Sequence, residues 1–251
     1  MKRAVFSAAA ILPLFILVVA ASAQTSGTSG VLLASAQPTV LSAPIAGSAA
    51  AVPKNGSDTN LLAMARSSQF DIQLQALAAV DAMVASGRIS AGQKQTAYGA
   101  LAALALSGIR NSVIEGMTVV NNYPSVRMHA ARLLGRLGGS QAEATLIQVL
   151  MFDDEPMVLS EAAFQLGRIA SSQDTEALDA IVSAFRREDA IQPQNNMAYA
   201  SLLSFEKIEK RGGGIQDPAV FDLISRIQQS DYTYAVKAKA AQVFSLLRSN
   251  N

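Results

Sequence analysis

The chain has no cysteine and no tryptophan, a single histidine, and only 6% aromatic residues. Without cysteine there are no disulfides, no thiolate metal sites and no acylated-cysteine N-terminus. One histidine, His129, rules out a two-histidine metal site and leaves a Ser-His-Asp triad a single base to draw on. Charge is scarce as well: charged residues make up 16% of the chain, with 20 Lys and Arg against 19 Asp and Glu. So even a balance exerts no general pull on phosphate backbones or anionic lipid, and nucleic-acid binding is not expected. Hydrophobic residues, by contrast, reach 50%, and they are rich in Ala and Leu. That composition suits closely packed helices held together by noncovalent contact alone.

The first residues are set apart from the rest. Met1-Lys2-Arg3 is a short cationic start, Ile11 to Ala20 is an almost unbroken apolar run, and Ala21-Ser22-Ala23 before Gln24 places small residues where a signal peptidase cuts. Residues 1–23 are therefore expected to be a signal peptide, and the mature chain to be exported, periplasmic or extracellular. An uncleaved membrane anchor is the alternative, because Ala4 to Ala23 nearly suffices to cross a bilayer. Removing Lys2 and Arg3 leaves 18 basic residues against 19 acidic ones. Residues 24–58 are dominated by Ser, Gly, Thr, Ala and Pro, too few large side chains to offset ordering entropy, and read as a flexible tether. Within it, "VLLASAQPTVL" at 31–41 is the only apolar stretch.

From residue 59 to 251 the chain is periodic. Six 14-residue windows superpose: "IQLQALAAVDAMVA" from 72, "TAYGALAALALSGI" from 96, "VRMHAARLLGRLGG" from 126, "VLSEAAFQLGRIAS" from 158, "MAYASLLSFEKIEK" from 197 and "VKAKAAQVFSLLRS" from 236. Their fifth residue is always small (Ala76, Ala100, Ala130, Ala162, Ser201, Ala240) and their ninth always large and apolar (Val80, Leu104, Leu134, Leu166, Phe205, Phe244). Positions one, five, nine and twelve share one side of an α-helix, so each window predicts an apolar stripe with a small residue where another backbone comes close. The windows read as first helices of about five repeated hairpins. Their partners are predicted between them, from Leu178, Ile181, Val182 and Phe185, from Val220, Leu223, Ile224 and Ile227, from Leu146, Val149 and Leu150, and from Val113, Met117 and Val120.

Punctuation agrees with the stripes. Pro124 and Pro156 open successive first helices, Asp217-Pro218 places a cap before a first-turn proline, and Ser140 to Glu143 has the spacing of a capping box. Gly138-Gly139 and Gly212 to Gly214 stand where helices stop and the chain turns. No alternating strand pattern of useful length follows residue 60. The fold class expected is all-α, an α-solenoid of stacked antiparallel helical hairpins of the armadillo-type superhelical kind.

The windows from 126 and 158, with Val, Ala-Ala and Leu-Gly in the same order, resemble the first helix of short bacterial HEAT-like repeats. The resemblance is specific for residues 126–171 and looser outside them, where Gly135 and Gly167 are replaced by Glu206 and Ser245. A tetratricopeptide array has a similar period, but its Gly-x-x-Tyr spacing is missing after Gly135 and Gly167. Membership implies a scaffold that offers a surface to another protein. A minority of the family act on pigments or alkylated DNA, both inside the cell, which fits an exported chain poorly. The resemblance thus implies a noncatalytic interaction module in the cell envelope, with another protein as partner and no small-molecule cofactor, and with membrane contact only through an uncleaved N-terminus.

Few residues are candidates for chemistry. Asp153-Asp154-Glu155 lacks the spaced alternation and glycine of a calcium loop and reads as a solvated turn whose acid caps the helix opened by Pro156. The glycines of "GRLGGS" follow no strand and lack a Lys-Ser/Thr pair, so they are not a phosphate cradle. His129 reads as a helix-surface residue without an orienting partner. The recurrent feature is position eleven, which is Arg136, Arg168 and Lys207 in three consecutive repeats. Each cation there complements the negative C-terminal end of its own helix, or together they form a basic ladder for an acidic partner, widened by Arg132 and His129. An enzyme or enzyme accessory with a concave-face pocket built from Tyr98, Tyr199 and Glu161 is the alternative; no catalytic or metal-binding residue is otherwise assigned.

Overall fold

A computed structural model of the chain describes residues 58–212 and 214–249. The signal peptide and tether expected over residues 1–57 lie outside the described residues. The last residue assigned to the tether, Asp58, already opens the first helix.

Among the described residues ten helices follow in chain order: α1 (Asp58–Ala65), α2 (Phe70–Ala85), α3 (Ala91–Ala105), α4 (Pro124–Leu137), α5 (Ser140–Phe152), α6 (Pro156–Ile169), α7 (Thr175–Ile191), α8 (Asn195–Gly212), α9 (Pro218–Gln229) and α10 (Tyr234–Ser249). They form two layers. In the first, α2, α4, α6, α8 and α10 each pack on the next; in the second, α1, α3, α5, α7 and α9 do the same. Short turns join one layer to the other, and this is the stacked, all-α solenoid of helical hairpins that the periodicity predicts. Each helix also packs on its neighbour in sequence, α1 on α2 and α10 on α9 at the two ends included, so the ten helices make up five antiparallel pairs, the number expected.

Five of the six windows fall on first-layer helices. The one from 96 lies on α3, which belongs to the second layer: it packs on α1 and α5 in its own layer and on α2 and α4 across it. An Ala-rich stripe with small and large positions suits either layer, so the spacing alone could not tell them apart. All six small fifth positions are fully buried. Of the large ninth positions, Val80, Leu104, Leu134, Leu166 and Phe205 are fully buried, and Phe244 packs edge-on against Phe221. Each such side chain contributes about 1.5–3 kcal/mol by leaving water, and these make up the spine of the core.

A second difference lies between α3 and α4. Val113, Met117 and Val120 form no helix; the segment is a two-stranded antiparallel hairpin, β1 (Ile114–Glu115) and β2 (Thr118–Val119), with Ile114 opposite Val119 and Glu115 opposite Thr118. Gly116 turns the tip, and Met117 beside it is fully exposed. Their spacing fits a helical stripe, but Val113 and Met117 stay exposed.

Helix boundaries match the reading in part. Pro124, Pro156 and Pro218 all occupy the first turn, and the Asp217 carboxylate accepts the Ala219 N–H at 2.8 Å. Gly138 and Gly139 both take left-handed φ and turn the chain between α4 and α5. The capping box expected at Ser140 is not formed: α5 starts one residue earlier than that motif requires, with Gly139 at the cap and no side-chain bond. The capping box that does form is at α3, where Ser90 and Gln93 bond reciprocally at 3.2 and 3.0 Å.

Candidate partner-binding edge

Because first-layer helices follow one another in register, their C-terminal ends share an edge. Basic residues occupy the last turn of α4 (Arg136), α6 (Arg168), α8 (Lys210, Arg211) and α10 (Arg248), where they complement the partial negative charge of the helix ends. Arg168, Lys207, Lys210 and Arg211 line one open groove between α6 and α8. Two members of the predicted ladder, Arg168 and Lys207, thus come together, and spacing alone did not single out Lys210 and Arg211 as their neighbours. The available signal was the Lys210-Arg211 pair directly before the glycine run.

These cations are not equivalent. Arg211 donates to the carbonyls of Gly167, Arg168 and Ala170, binding the end of α6 to α8. Lys210 pairs with Glu206 at 2.7 Å, and Lys239 of α10 reaches the same carboxylate at 2.5 Å. Burial by itself raises the Glu206 carboxyl, but the two lysines outweigh it and hold the group below its ordinary range. Lys207 lies over the Phe164 ring, 4.9 Å from its centroid, and Arg168 donates to Gln165 Oε1 at 3.1 Å. Both therefore have ammonium or guanidinium donors left for a partner.

Arg136, Arg132 and His129 are placed differently. Arg136 forms an ion pair with Asp81 of α2. Arg132 grips Glu161 of α6 with both ends of its guanidinium, at 3.1 and 2.9 Å, and Gln165 donates to the same carboxylate at 2.7 Å. Arg132 is thus an inter-repeat tie, not an extension of the ladder. His129, on the same helix, has its pKa lowered, first by burial and then by the Arg132 charge, against the opposing pull of Glu161, the Ser125 backbone and Asp81. Histidine here stays neutral at pH 7, which suits a packing residue better than a cationic contact.

Residues considered for a concave-face pocket are engaged elsewhere. Tyr98 donates to the Gly138 carbonyl at 2.5 Å, Glu161 holds Arg132, and Tyr199 packs against the core. None of the three lines the α6–α8 groove or the recess beside α3. Among the described residues no group of three or more His, Cys, Asp or Glu is placed to hold a metal, and no helix is long and apolar enough to cross a membrane.

The acidic run in the α5–α6 turn departs from its solvated reading. Asp153 is buried and takes both ends of the buried Arg127 guanidinium at 2.7 and 3.0 Å, while its Oδ1 accepts the N–H groups of Asp154 and Glu155. It does not cap α6, whose cap residue Glu155 makes no side-chain bond. Position two of the window gave no hint of this, since Arg127 there aligns with Leu159, Ala198 and Lys237.

A stack of helical hairpins, each burying its apolar side on the next, defines an α-solenoid repeat protein. Residues 112–192 match the family model of HEAT repeats, a span that contains both windows carrying the resemblance, and this part of the chain is similar to that family. No curated protein matches the chain.

Proposed function

We propose that this protein is an exported, noncatalytic interaction module, a scaffold or adaptor in the cell envelope that holds an acidic face of another protein against its cationic edge. HEAT repeats suggest a protein-interaction scaffold, and the family is typically noncatalytic. The observation that carries the reading is the α6–α8 groove, where Arg168, Lys207, Lys210 and Arg211 meet and only Lys210 among them forms an ion pair, with Glu206, among the described residues. Such an edge steers an acidic partner and sets its register. Export is supported by the order of charge, apolar run and small residues over Met1 to Ala23.

A photo-crosslinking side chain placed at Lys207, and separately at the exposed Asp179 of α7, tests the edge in living cells. A discrete adduct from position 207 that vanishes with Arg168→Glu and Lys210→Glu, with none from position 179, is the expected outcome. Equal labelling from both positions, or an adduct indifferent to those charge reversals, overturns the edge. Gln24 is expected as the first residue of the purified protein, found in the periplasmic or extracellular fraction. An intact Met1 in the cytoplasmic fraction overturns export.

A further inference from the structure

Away from that edge, a recess of about 480 Å³ opens between the end of α1, one face of α3 and the chain that leads into β1. Its floor is Gly99, Ala102 and Ala103, three small residues on successive turns of α3. Its rim carries Arg66, Asn111 and Ser112. No carboxylate lines it, and the Arg66 guanidinium has no hydrogen-bond or ion-pair partner among the described residues. The size lies within the range of ligand sites, and an apolar floor with a few polar groups at one side is their usual make-up.

The rim residues Ser112 and Val113 lead into β1, whose outer edge is free among the described residues. Val120 donates to the Val113 carbonyl at 2.9 Å, so Val113 and Val120 are bonded across the hairpin. In an antiparallel pair such bonding alternates, and the N–H and C=O of Ile114, opposite Val119, point away from β2. Ser112 has the same parity, and its N–H has no partner among the described residues. An exposed row of this kind accepts an added strand. The hairpin and its approach are held for that role by Asn121, which is buried and bonds the Asn111 carbonyl at 2.6 Å and the Val113 N–H at 2.8 Å.

We propose that this recess binds the free C-terminal end of an extended peptide. The peptide main chain pairs with the outer edge of Ser112 and Ile114, a small side chain rests on Gly99, Ala102 and Ala103, and the terminal carboxylate takes Arg66 and the Asn111 carboxamide. A carboxylate is required because the one charge at the rim is an unpaired cation, and guanidinium matches its two oxygens. It belongs to the peptide terminus because side chains leave a strand perpendicular to its edge, towards a floor that offers no cation. The site is separate from the α6–α8 groove and stands or falls independently of it.

A random peptide library displayed with free C-termini, panned on the full chain, tests this. Enriched peptides are resynthesised with free and amidated C-termini and titrated by calorimetry. Arg66→Gln, an exposed substitution, and Gly99→Leu, which fills the floor where the nearest atom to an added Cβ is 3.9 Å away, serve as site variants, and Lys207→Gln as the edge control. The expected result is binding that weakens about tenfold or more with amidation and with Arg66→Gln, is lost with Gly99→Leu, and is untouched by Lys207→Gln. Thermal melts unchanged from the parent protein show that the variants fold. No enrichment above the Gly99→Leu protein, equal affinity for amidated peptides, or dependence on Lys207 instead of Arg66 overturns the proposal.

Discussion

Two junctions in this row of helices are closed by opposite means. Between α6 and α8 the backbones meet directly: a Cβ on Gly167 would lie 2.4 Å from the Ser204 Cα, and the Ser204 hydroxyl bonds the Ala163 carbonyl at 2.7 Å across the gap. Between the α2/α3 pair and α4 the chain instead inserts residues 106–123, and polar groups do the joining. Gln73 donates to Ser107 Oγ at 3.0 Å, Ser107 Oγ donates to the Asn121 carbonyl at 3.1 Å, and Arg127 links Asn122 to Asp153. The contrast follows from backbone accounting. A regular helix satisfies its own N–H and C=O groups and needs only a matching shape opposite, whereas the polar groups of an irregular insert that are buried at a joint, as at Ser107 and Asn121, must find other partners.

Asp153→Ala should break the polar junction with the largest effect. It leaves Arg127 buried without its carboxylate, and removal of one member of such a pair costs about 3–5 kcal/mol, read as a lowered midpoint in urea unfolding. Gly167→Val attacks the apolar junction. Overpacking of this kind costs about 1–3 kcal/mol, and more where the opposing atom is backbone, as the Ser204 Cα is. If the two junctions are independent, the double variant should lose the sum of the two.

A third test uses pH. The folded-state pKa of His129 is lowered, so the unfolded chain binds its proton more readily; the resulting stabilisation is full above the ordinary value of 6.5 and is lost as pH falls through the folded value. His129→Gln should therefore flatten the loss of stability just below pH 6.5, with Arg132, Glu161 and Asp81 left in place. A profile as steep as the parent's would show that the α4 surface is looser than the contacts with those groups indicate. The smallest effect is expected at the last junction, where Glu206 replaces the glycine of the tight repeats and reaches Lys239 of α10. Lys239→Met should cost about 0.2–1 kcal/mol, the range of partly exposed pairs. The remaining stabilisation should fade less steeply as pH drops below 4.5, because the Glu206 carboxyl is then held down by Lys210 alone.

The tight junction was legible in the residues and the polar one was not. Ala162, Leu166 and Gly167 recur at fixed offsets from Ala130, Leu134 and Gly135, and a period exposes what every copy must do: bury one side and let a backbone approach. Arg127 and Asp153 stand 26 residues apart, one inside a window and one in the turn before the next, and each looks like an ordinary surface charge in its local sequence. Local spacing carries no information about such a pairing. Val113, Met117 and Val120 show the same limit in another form, since their spacing fits a helical stripe and a short hairpin alike. The clues against a helix were Gly116 in the middle and Asn121-Asn122 at the end, residues that favour turns. For the candidate edge, period placed Arg168 and Lys207 together, but only packing reveals that Arg132 and Arg136 are already engaged by acids on neighbouring helices.

The helices at either end carry a mechanical consequence. Among the described residues α3 to α8 are each gripped from two sides within their layer, whereas α1 has α3 alone, α2 has α4 alone, α9 has α7 alone and α10 has α8 alone. A load drawn along the row should peel the C-terminal end inward helix by helix, each step small, until it reaches the joint around Arg127. There the charged knot must rupture all at once, so a force trace should show a run of minor yields ending in one tall peak.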